Sequence, residues 1–521
     1  MRTSDELFHL IKSLTKSEKR YFRLFTSIQQ GEKKYLQLFD ALEGQEEYDE
    51  AAIRKKFSGE RFTRQLNVAK KYLYNLILKS LRVYHSDYSA GAQVRELIAS
   101  ADILYSKGLT DQSAKMVEKA IALARTSSAL VPLLDTLQRW PRYSPKERPS
   151  ETTIDAEFNG RYEVLDQIRN LLDYGRLEQK MNMAMGKGHL RSPEEAELLE
   201  RCVSDPLLLD PANARSPKAL IGFHNVLSHY HYGRGNLKES LRFIQQQIEF
   251  LDGNPTLLIG NLASYLSALH NSVLINRQLL NLEGYRQAME KLRSAPRSIM
   301  AGSRLINPQD HALVFGAIYT ALLCECVLLG RFEEGAALAM EIEEGLRRHG
   351  PHIAESRKLV LYSNLVMIFF GLGNIPRALE YVNRILSGPE PDAGKQIYYH
   401  ARLVNIIIHF ELGNLDLIPY LVRSTYRYYR KQNIMYRFES KTLEFLQTLP
   451  RIYSNDDLMK LFERFLRELI ELSNDPYERD MLRYFYYVEW LESRIARRDF
   501  TDVLHSHISG LPFVARFGDM A

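Results

Sequence analysis

Apolar residues along this chain recur at helical spacing in nearly every segment, and the pattern predicts one helix after another. In LNVAKKYLYNLILKSLRVY, residues Leu66, Ala69, Leu73, Leu76, Ile77 and Tyr84 fall on one stripe, as a half-buried helix requires. Asn67, Lys71, Asn75 and Arg82 fall on the opposite side. Upstream, Thr15 and Glu18 form the S/T-x-x-E signature that opens a helix at KSEKRYFRLF. KKYLQLFDALEG and EAAIRKKF give two more helices, and a long one is predicted from about Asp155 to Met185. Beyond Leu449 the segments DLMKLFERFLRELIEL and ERDMLRYFYYVEWLESRIA are again helical. The stretch 127–154 carries Pro132, Pro141, Pro145 and Pro149, and reads as an irregular linker.

Within this run of helices one local pattern returns six times. A turn residue (Gly108, Gly235, Glu283, Gly330, Gly373 and Gly413) is followed two positions later by Thr or a large apolar residue. Five positions after the turn stand Ser113, Ser240, Ala288, Gly335, Ala378 and Ile418, small in five cases of six. Nine positions after it stand Val117, Ile244, Leu292, Ala339, Val382 and Val422. A small residue lets two antiparallel helices approach, and the apolar residue one turn on closes the hairpin. Glycine supplies the positive φ that ends the first helix. Successive turns from Glu283 onward lie 47, 43 and 40 residues apart.

These residues resemble tetratricopeptide-repeat (TPR) proteins. The unit from 362 to 382 carries the resemblance best, with Tyr362, Leu365, Phe369, Gly373, Ala378 and Val382. No unit has the usual Trp in its first helix, and Ser113, Ser240 and Gly335 replace the usual Ala. The spacing exceeds the 34 residues of a strict TPR, so the helices are expected to run over length. LTKSEKRYF and the whole arrangement are similar to a group of TPR-like proteins of the Bacteroidota. The fold expected is all-α. It comprises an N-terminal helical domain over 1–90, a TPR-like α–α superhelix (solenoid) over 91–450 interrupted at 127–154, and C-terminal capping helices with a tail over 451–521.

Charge changes this picture in one place. Residues 1–88 hold 17 Lys/Arg against 12 Asp/Glu, which accounts for the whole net charge of +5. Between Arg54 and Arg82 the only acid is Glu60. A short helix followed by a longer basic one loosely has the arrangement of a helix-turn-helix. Arg54, Lys55, Lys56, Arg61, Arg64, Lys70 and Lys71 would then be the nucleic-acid contacts. The turn SGERFTRQ is longer than that motif uses, and the plainer reading is a helical cap with a solvated basic face. TYRYYRKQNIMYRFESK, residues 425–441, mixes aromatics with arginines as a base-stacking surface would. Its helical phase fits core plus solvated face better.

Other chemistry finds little support. His224, His229 and His231 are spaced five and two apart, and Cys324 and Cys326 two apart. Neither spacing matches the i, i+4 geometry of helix-borne metal ligands, so no metal or cofactor is expected. There is no GxxxxGK[ST] loop, no GxGxxG and no GxSxG, and no enzyme is expected. The N-terminus lacks the apolar core of a signal peptide. The greasiest window, Leu359 to Leu372, is fourteen residues long and interrupted by Tyr362, Ser363 and Asn364, short of a membrane span. Three cysteines do not make a disulfide framework. These features suggest a cytoplasmic protein with no membrane partner.

Stacked helical hairpins present a concave groove lined by the first helix of each. The expected function is therefore an intracellular protein-interaction scaffold that binds a peptide or protein partner in that groove. Asn225, Tyr232, Asn364, Arg402 and Asn405 are the candidate groove residues. The alternative is a nucleic-acid-binding regulator, with the 1–90 head on DNA and the repeats as sensor or dimerisation body.

Overall fold

The computed structural model describes residues 5–27, 33–86, 89–143, 150–185, 191–302, 308–388 and 394–510. Among these residues the regular structure is entirely helical, with no strand. The chain divides into two compact units: Met1–Arg125 with Asp135–Arg148, and Thr126–Leu134 with Pro149–Ala521.

In the first unit, helices Glu6–Ser13, Lys16–Ser27, Lys33–Glu43, Glu50–Lys56 and Leu66–Tyr84 enclose a core that includes Ile11, Phe22, Phe39, Leu42, Leu73 and Ile77. The predicted capping box forms. The Glu18 N–H donates to Thr15 Oγ1 at 3.2 Å, and the Thr15 N–H donates to Glu18 Oε2 at 2.7 Å. The hairpin Ala90–Ser106 with Thr110–Thr126 groups with this head, so the boundary expected at 90 lies some 35 residues further on. Periodicity shows that a hairpin forms but not which neighbour it stacks on.

The stretch 127–154 is not irregular as the prolines suggested. Helix Leu130–Tyr143 occupies it, and helix Glu151–Ala184 begins at its far end, capped by the Ser150 hydroxyl. Pro132 is the third helical residue, where the missing N–H has no intrahelical partner to lose. Pro141 falls in the last turn, so its cost is confined to a helix end. Pro145 and Pro149 lie outside the described residues.

The second unit is a succession of antiparallel helix pairs. These are Pro217–Gly233 with Leu237–Asp252, Leu262–Gln278 with Leu282–Gly302, and Pro308–Leu329 with Phe332–His349. Glu355–Gly371 with Ile375–Ser387 and Lys395–Glu411 with Ile418–Gln432 complete the set. The turns of these pairs, and the one at Gly108, share a single geometry. The residue after the left-handed one donates its N–H to the carbonyl five residues back: Leu109 to Leu104, Asn236 to His231, Asn281 to Asn276, Arg331 to Cys326, Asn374 to Phe369, and Asn414 to His409, all at 2.8 to 3.0 Å. This is the bond of a Schellman motif.

Five of the six left-handed positions are glycine, with φ from +66° to +79°. The sixth is Leu280, with φ +56°, and not Glu283, which lies inside the next helix. The predicted register there was three residues late. A non-glycine in this conformation gives no sequence signal, and the nearest turn-like cluster misled. In the corrected register Tyr285, 2% exposed, takes the position that is small in the other pairs. Elsewhere the paired positions are all buried, from Ser113 and Val117 to Ile418 and Val422. Two of the small residues also bond across the hairpin: Ser113 Oγ to the Ala101 carbonyl and Ser240 Oγ to the Ser228 carbonyl, both at 2.8 Å.

Helix Pro308–Leu329 is long and apolar enough to cross a membrane by length and composition, with a mean hydropathy of 2.2 over its best window. It packs against helices 262–278, 332–349 and 355–371, and Ala317, Thr320, Ala321, Leu323 and Cys326 are buried there. Of its most apolar window, 44% is buried in these contacts.

The C-terminal segment does more than cap an end. Helix Asn455–Ser473 packs on Arg437–Thr448, as a cap would. The chain then turns back over the earlier pairs. Arg483 reaches Gln278, and Phe485 meets Phe370 edge-on at 4.7 Å. Trp490 Nε1 donates to Glu411 at 2.7 Å, and Thr501 Oγ1 donates to the Gly371 carbonyl at 2.9 Å. The His505 ring lies 5.6 Å from Phe332. The physical reason is in MLRYFYYVEWL. It passes from the turn 479–484 through extended Phe485 into helix 487–496, so its successive aromatics point to different sides, and one covered face would leave the others in water.

A buried ion cluster fixes the start of this return. Arg191, 6% exposed, donates to both oxygens of Glu439 at 3.0 and 2.9 Å and to Glu478 Oε2 at 2.9 Å. Its guanidinium also lies 4.3 Å from the Tyr436 ring. Glu478 accepts in addition from the Arg437 and Phe438 N–H groups, both at 3.1 Å. It thereby satisfies the open first turn of helix Arg437–Thr448.

Candidate functional site

The first helices of the pairs present one face that changes character along its length. On helix 355–371, Ser363 and Met367 lie beside Tyr484 and Phe485 of the returning C-terminal segment. On helix 395–411, His400 stacks flat on Tyr484, with centroids 4.3 Å apart and planes 9° apart. One helical turn towards the N-terminus of helix 355–371, that cover is gone. Ser356, Arg357 and Val360 line an open cavity of about 510 Å³, together with Asn225, Ser228, His229, Gln247, Ser264, Ser267, His270 and Asn271. A second cavity, of about 310 Å³, shares Ser228, His229 and Asn271 with the first and continues to Asn182, Tyr232 and Leu274.

Three side chains give this cavity its chemistry. Arg357 lays its stem over Gly316 of helix 308–329, where an added Cβ would stand 2.9 Å from Arg357 Cγ. Glycine is needed there because a side chain would occupy the notch. The guanidinium makes no ion pair with any described residue. Burial lowers its pKa, with only the Cys324 thiol opposing that, yet an arginine remains charged at neutral pH. His270 is pushed down to about 4, first by burial and then by the Arg357 and Arg277 charges. His229 is lowered chiefly by burial, so both imidazoles are neutral at pH 7. Gln247 is 1% exposed, and its Nε2 has no hydrogen-bond partner; His270 Nε2 is likewise buried and unpartnered. Unsatisfied buried polar atoms beside a cavity are costly, and an acceptor entering the cavity would relieve the Gln247 amide donor.

Of the groove residues nominated from sequence, Asn225 and Tyr232 border this space. Asn225 Nδ2 also donates to Glu178 at 2.9 Å. The other three line neither cavity. Asn364 accepts the Cys324 thiol at 3.5 Å and donates to the Val360 carbonyl, both helix-packing contacts. Arg402 covers the Tyr428 ring at 4.0 Å, against the paired helix. Asn405 is buried, 7% exposed, away from both cavities. Arg357, His270, Asn271 and Gln247 were missed. A signal was available for Arg357, since of the two cations that open helix 355–371 it is the one on the same face as Val360 and Asn364, while Lys358 pairs with Glu355. Asn364 was chosen one to two turns too far along.

In the head, the nominated nucleic-acid contacts separate into two groups. Lys70 is 4% exposed and bonds to Glu50 Oε2 at 2.5 Å and to the Tyr48 hydroxyl. Arg54 pairs with the same carboxylate at 2.8 Å and donates to the Thr63 carbonyl. Glu50 is pushed down to about 2 by these cations, Lys70 first. Lys70 is therefore a core ion pair and not a phosphate contact, because its place on the helix puts it at the edge of the buried stripe. Lys55, Lys56, Arg64 and Lys71 are exposed, and the side chain of Arg61 lies outside the described residues. In the basic-aromatic segment 425–441, Tyr429 is wholly buried with its hydroxyl on the Tyr399 carbonyl at 2.6 Å, while Arg427, Arg430 and Lys431 are exposed.

His224 and His231 do not join His229. His224 is buried with a pKa pushed down to about 4, and His231 stacks on Phe243 at 5.5 Å. No group of three or more metal-ligating side chains occurs among the described residues. Cys202, Cys324 and Cys326 are free thiols. Sequence comparisons find no matching protein-family model and no matching curated protein.

Proposed function

We propose that this chain is a TPR-like helical-repeat scaffold of the cytoplasm that binds an extended peptide segment of a partner protein. The groove lined by the first helices of its hairpins would receive that segment, and Arg357 would anchor a carboxylate of the ligand. The observation that carries this reading is Arg357, without an ion pair among the described residues, at a cavity whose other polar lining is amides, hydroxyls and neutral imidazoles. Arginine pairs bidentately with carboxylates, and Asn, Gln and Ser side chains match the alternating donors and acceptors of a peptide backbone. One cation beside two neutral histidines favours a singly charged group over a phosphate dianion. The combined volume suits a few residues. Free thiols are compatible with a reducing compartment.

The test immobilises the full chain and offers random hexapeptides as two pools, one with free C-terminal carboxylates and one amidated. Mass spectrometry reads the retained species. Wild type should retain acids, either free C-termini or Asp/Glu side chains. Arg357→Gln should retain them at least tenfold less well while melting at the same temperature. Retention of nothing by wild type, or equal retention by both proteins, would overturn the proposal.

A further inference from the structure

Helix 66–84 of the head buries Leu66, Ala69, Leu73, Leu76 and Ile77 and carries a second, largely exposed face, on which Tyr72 also packs against Tyr35 at 4.5 Å. Val68, Tyr72, Leu78 and Val83 are 64%, 44%, 37% and 51% exposed, and Asn67, Lys71, Asn75, Lys79 and Arg82 are exposed beside them. At the α-helical turn of about 100° per residue these nine side chains span an arc of roughly 160°. No acid lies in that helix, and Lys71, Lys79 and Arg82 form no ion pair with a described residue.

The order around the arc is informative. Asn67 and Leu78 lie at one margin, and Val68, Tyr72 and Val83 lie towards the other. Lys71, Arg82 and Asn75 fall between them, with Lys79 among the second apolar group. A helix that lies in a membrane has the reverse order, with apolar residues central and cations at the borders. DNA would answer the cations through its phosphates but leave both apolar margins against charge and water. A helix with a central row of Asp/Glu flanked by apolar residues answers both parts at once, burying the margins and pairing the cations.

We infer that this face of the head is a docking surface for an acidic amphipathic helix of a partner protein. It belongs to the first unit, and the inference does not depend on what the groove binds. Lys70, Arg54 and Glu50 hold the helix in place from its inner side, and the exposed cations carry recognition.

The experiment uses the full chain and a capped 21-residue peptide with a glutamate row flanked by leucines. A scrambled isomer and a lysine-for-glutamate version serve as probes beside it. Fluorescence anisotropy should give binding of the acidic amphipathic peptide that weakens as salt is raised. The triple variant K71E/K79E/R82E should lose at least tenfold in affinity, with an unchanged melting temperature, and should gain the lysine peptide. V68S/V83S should weaken binding with little change in its salt dependence. Equal binding of the scrambled isomer, no binding of the acidic helix, or tighter binding of a 20-base-pair duplex or of phosphatidylserine vesicles would each overturn the inference.

Discussion

Replacing Arg191 by Met removes the one cation from a buried cluster of two carboxylates, and the structure dictates how the protein responds. Glu478 keeps two backbone N–H donors, from Arg437 and Phe438. Glu439 is 6% exposed, and burial already raises its pKa against the opposing pull of Arg191. Without Arg191 it is the group that takes up a proton. Protonating at pH 7 a carboxyl whose ordinary pKa is 4.5 costs about 3.4 kcal/mol. That figure caps the electrostatic part of the loss, and lost hydrogen bonds bring the total into the range of about 3–5 kcal/mol typical of breaking a buried pair. At pH 5 the same protonation costs about 0.7 kcal/mol.

The sign follows from linkage. The variant's folded state binds a proton that its unfolded state does not hold between pH 7 and 4.5, so the deficit relative to wild type shrinks as pH falls. It should shrink by about 2.7 kcal/mol between pH 7 and pH 5. Urea unfolding followed by fluorescence measures this. Of the two tryptophans, Trp490 is 1% exposed in the second unit, and a Trp140→Phe background makes the signal report on that unit alone. Arg191→Met with Glu439→Gln should recover most of the pH 7 loss. A deficit equal at both pH values, or no deficit at pH 7, would refute the assignment of Glu439 as the dependent charge.

Three further outcomes follow from the same geometry. His224, buried and with its pKa pushed down to about 4 by burial and then by Arg242, resists the proton that an unfolded histidine takes up near 6.5. Stability should therefore fall by up to about 3 kcal/mol as pH drops from 6.5 to 4, and His224→Phe should flatten that part of a pH-dependent urea series. Ser240→Ala removes the hydroxyl bond to the Ser228 carbonyl and should cost about 1 kcal/mol in urea unfolding. Gly316→Ala places a Cβ 2.9 Å from Arg357 Cγ. It should lower retention of carboxylate-bearing peptides several-fold in the pool assay, in the same direction as Arg357→Gln.

What the sequence disclosed and what it hid divide along a physical line. Local, repeated constraints were legible. A glycine forced into the left-handed region, a small residue where two helices touch and an apolar residue one turn on each leave a mark at a fixed offset. The hairpin positions from Ser113 to Val422 are buried accordingly. Where a turn used Leu280 in place of glycine the mark was missing, and the register slipped by three. Prolines misled at 127–154 because only their place within a helix decides whether they break it. Lys70 looked like a surface cation because its partner, Glu50, lies twenty residues away on another helix.

The site depended on a different kind of information. Arg357 matters because Gly316 leaves a notch beneath it and no described carboxylate meets it, two facts about positions far apart in the chain. Likewise, the aromatic run 481–491 could be recognised as needing burial on every side, but not as the cover of half the first-helix face. That cover ends between Ser363 and Val360. The boundary itself bears on function: the cavity at Arg357 is the stretch of this face that the protein's own C-terminal segment leaves open. A partner peptide longer than that opening would meet Tyr484 and Phe485 at its edge, so ligands that bind without displacing them should be short.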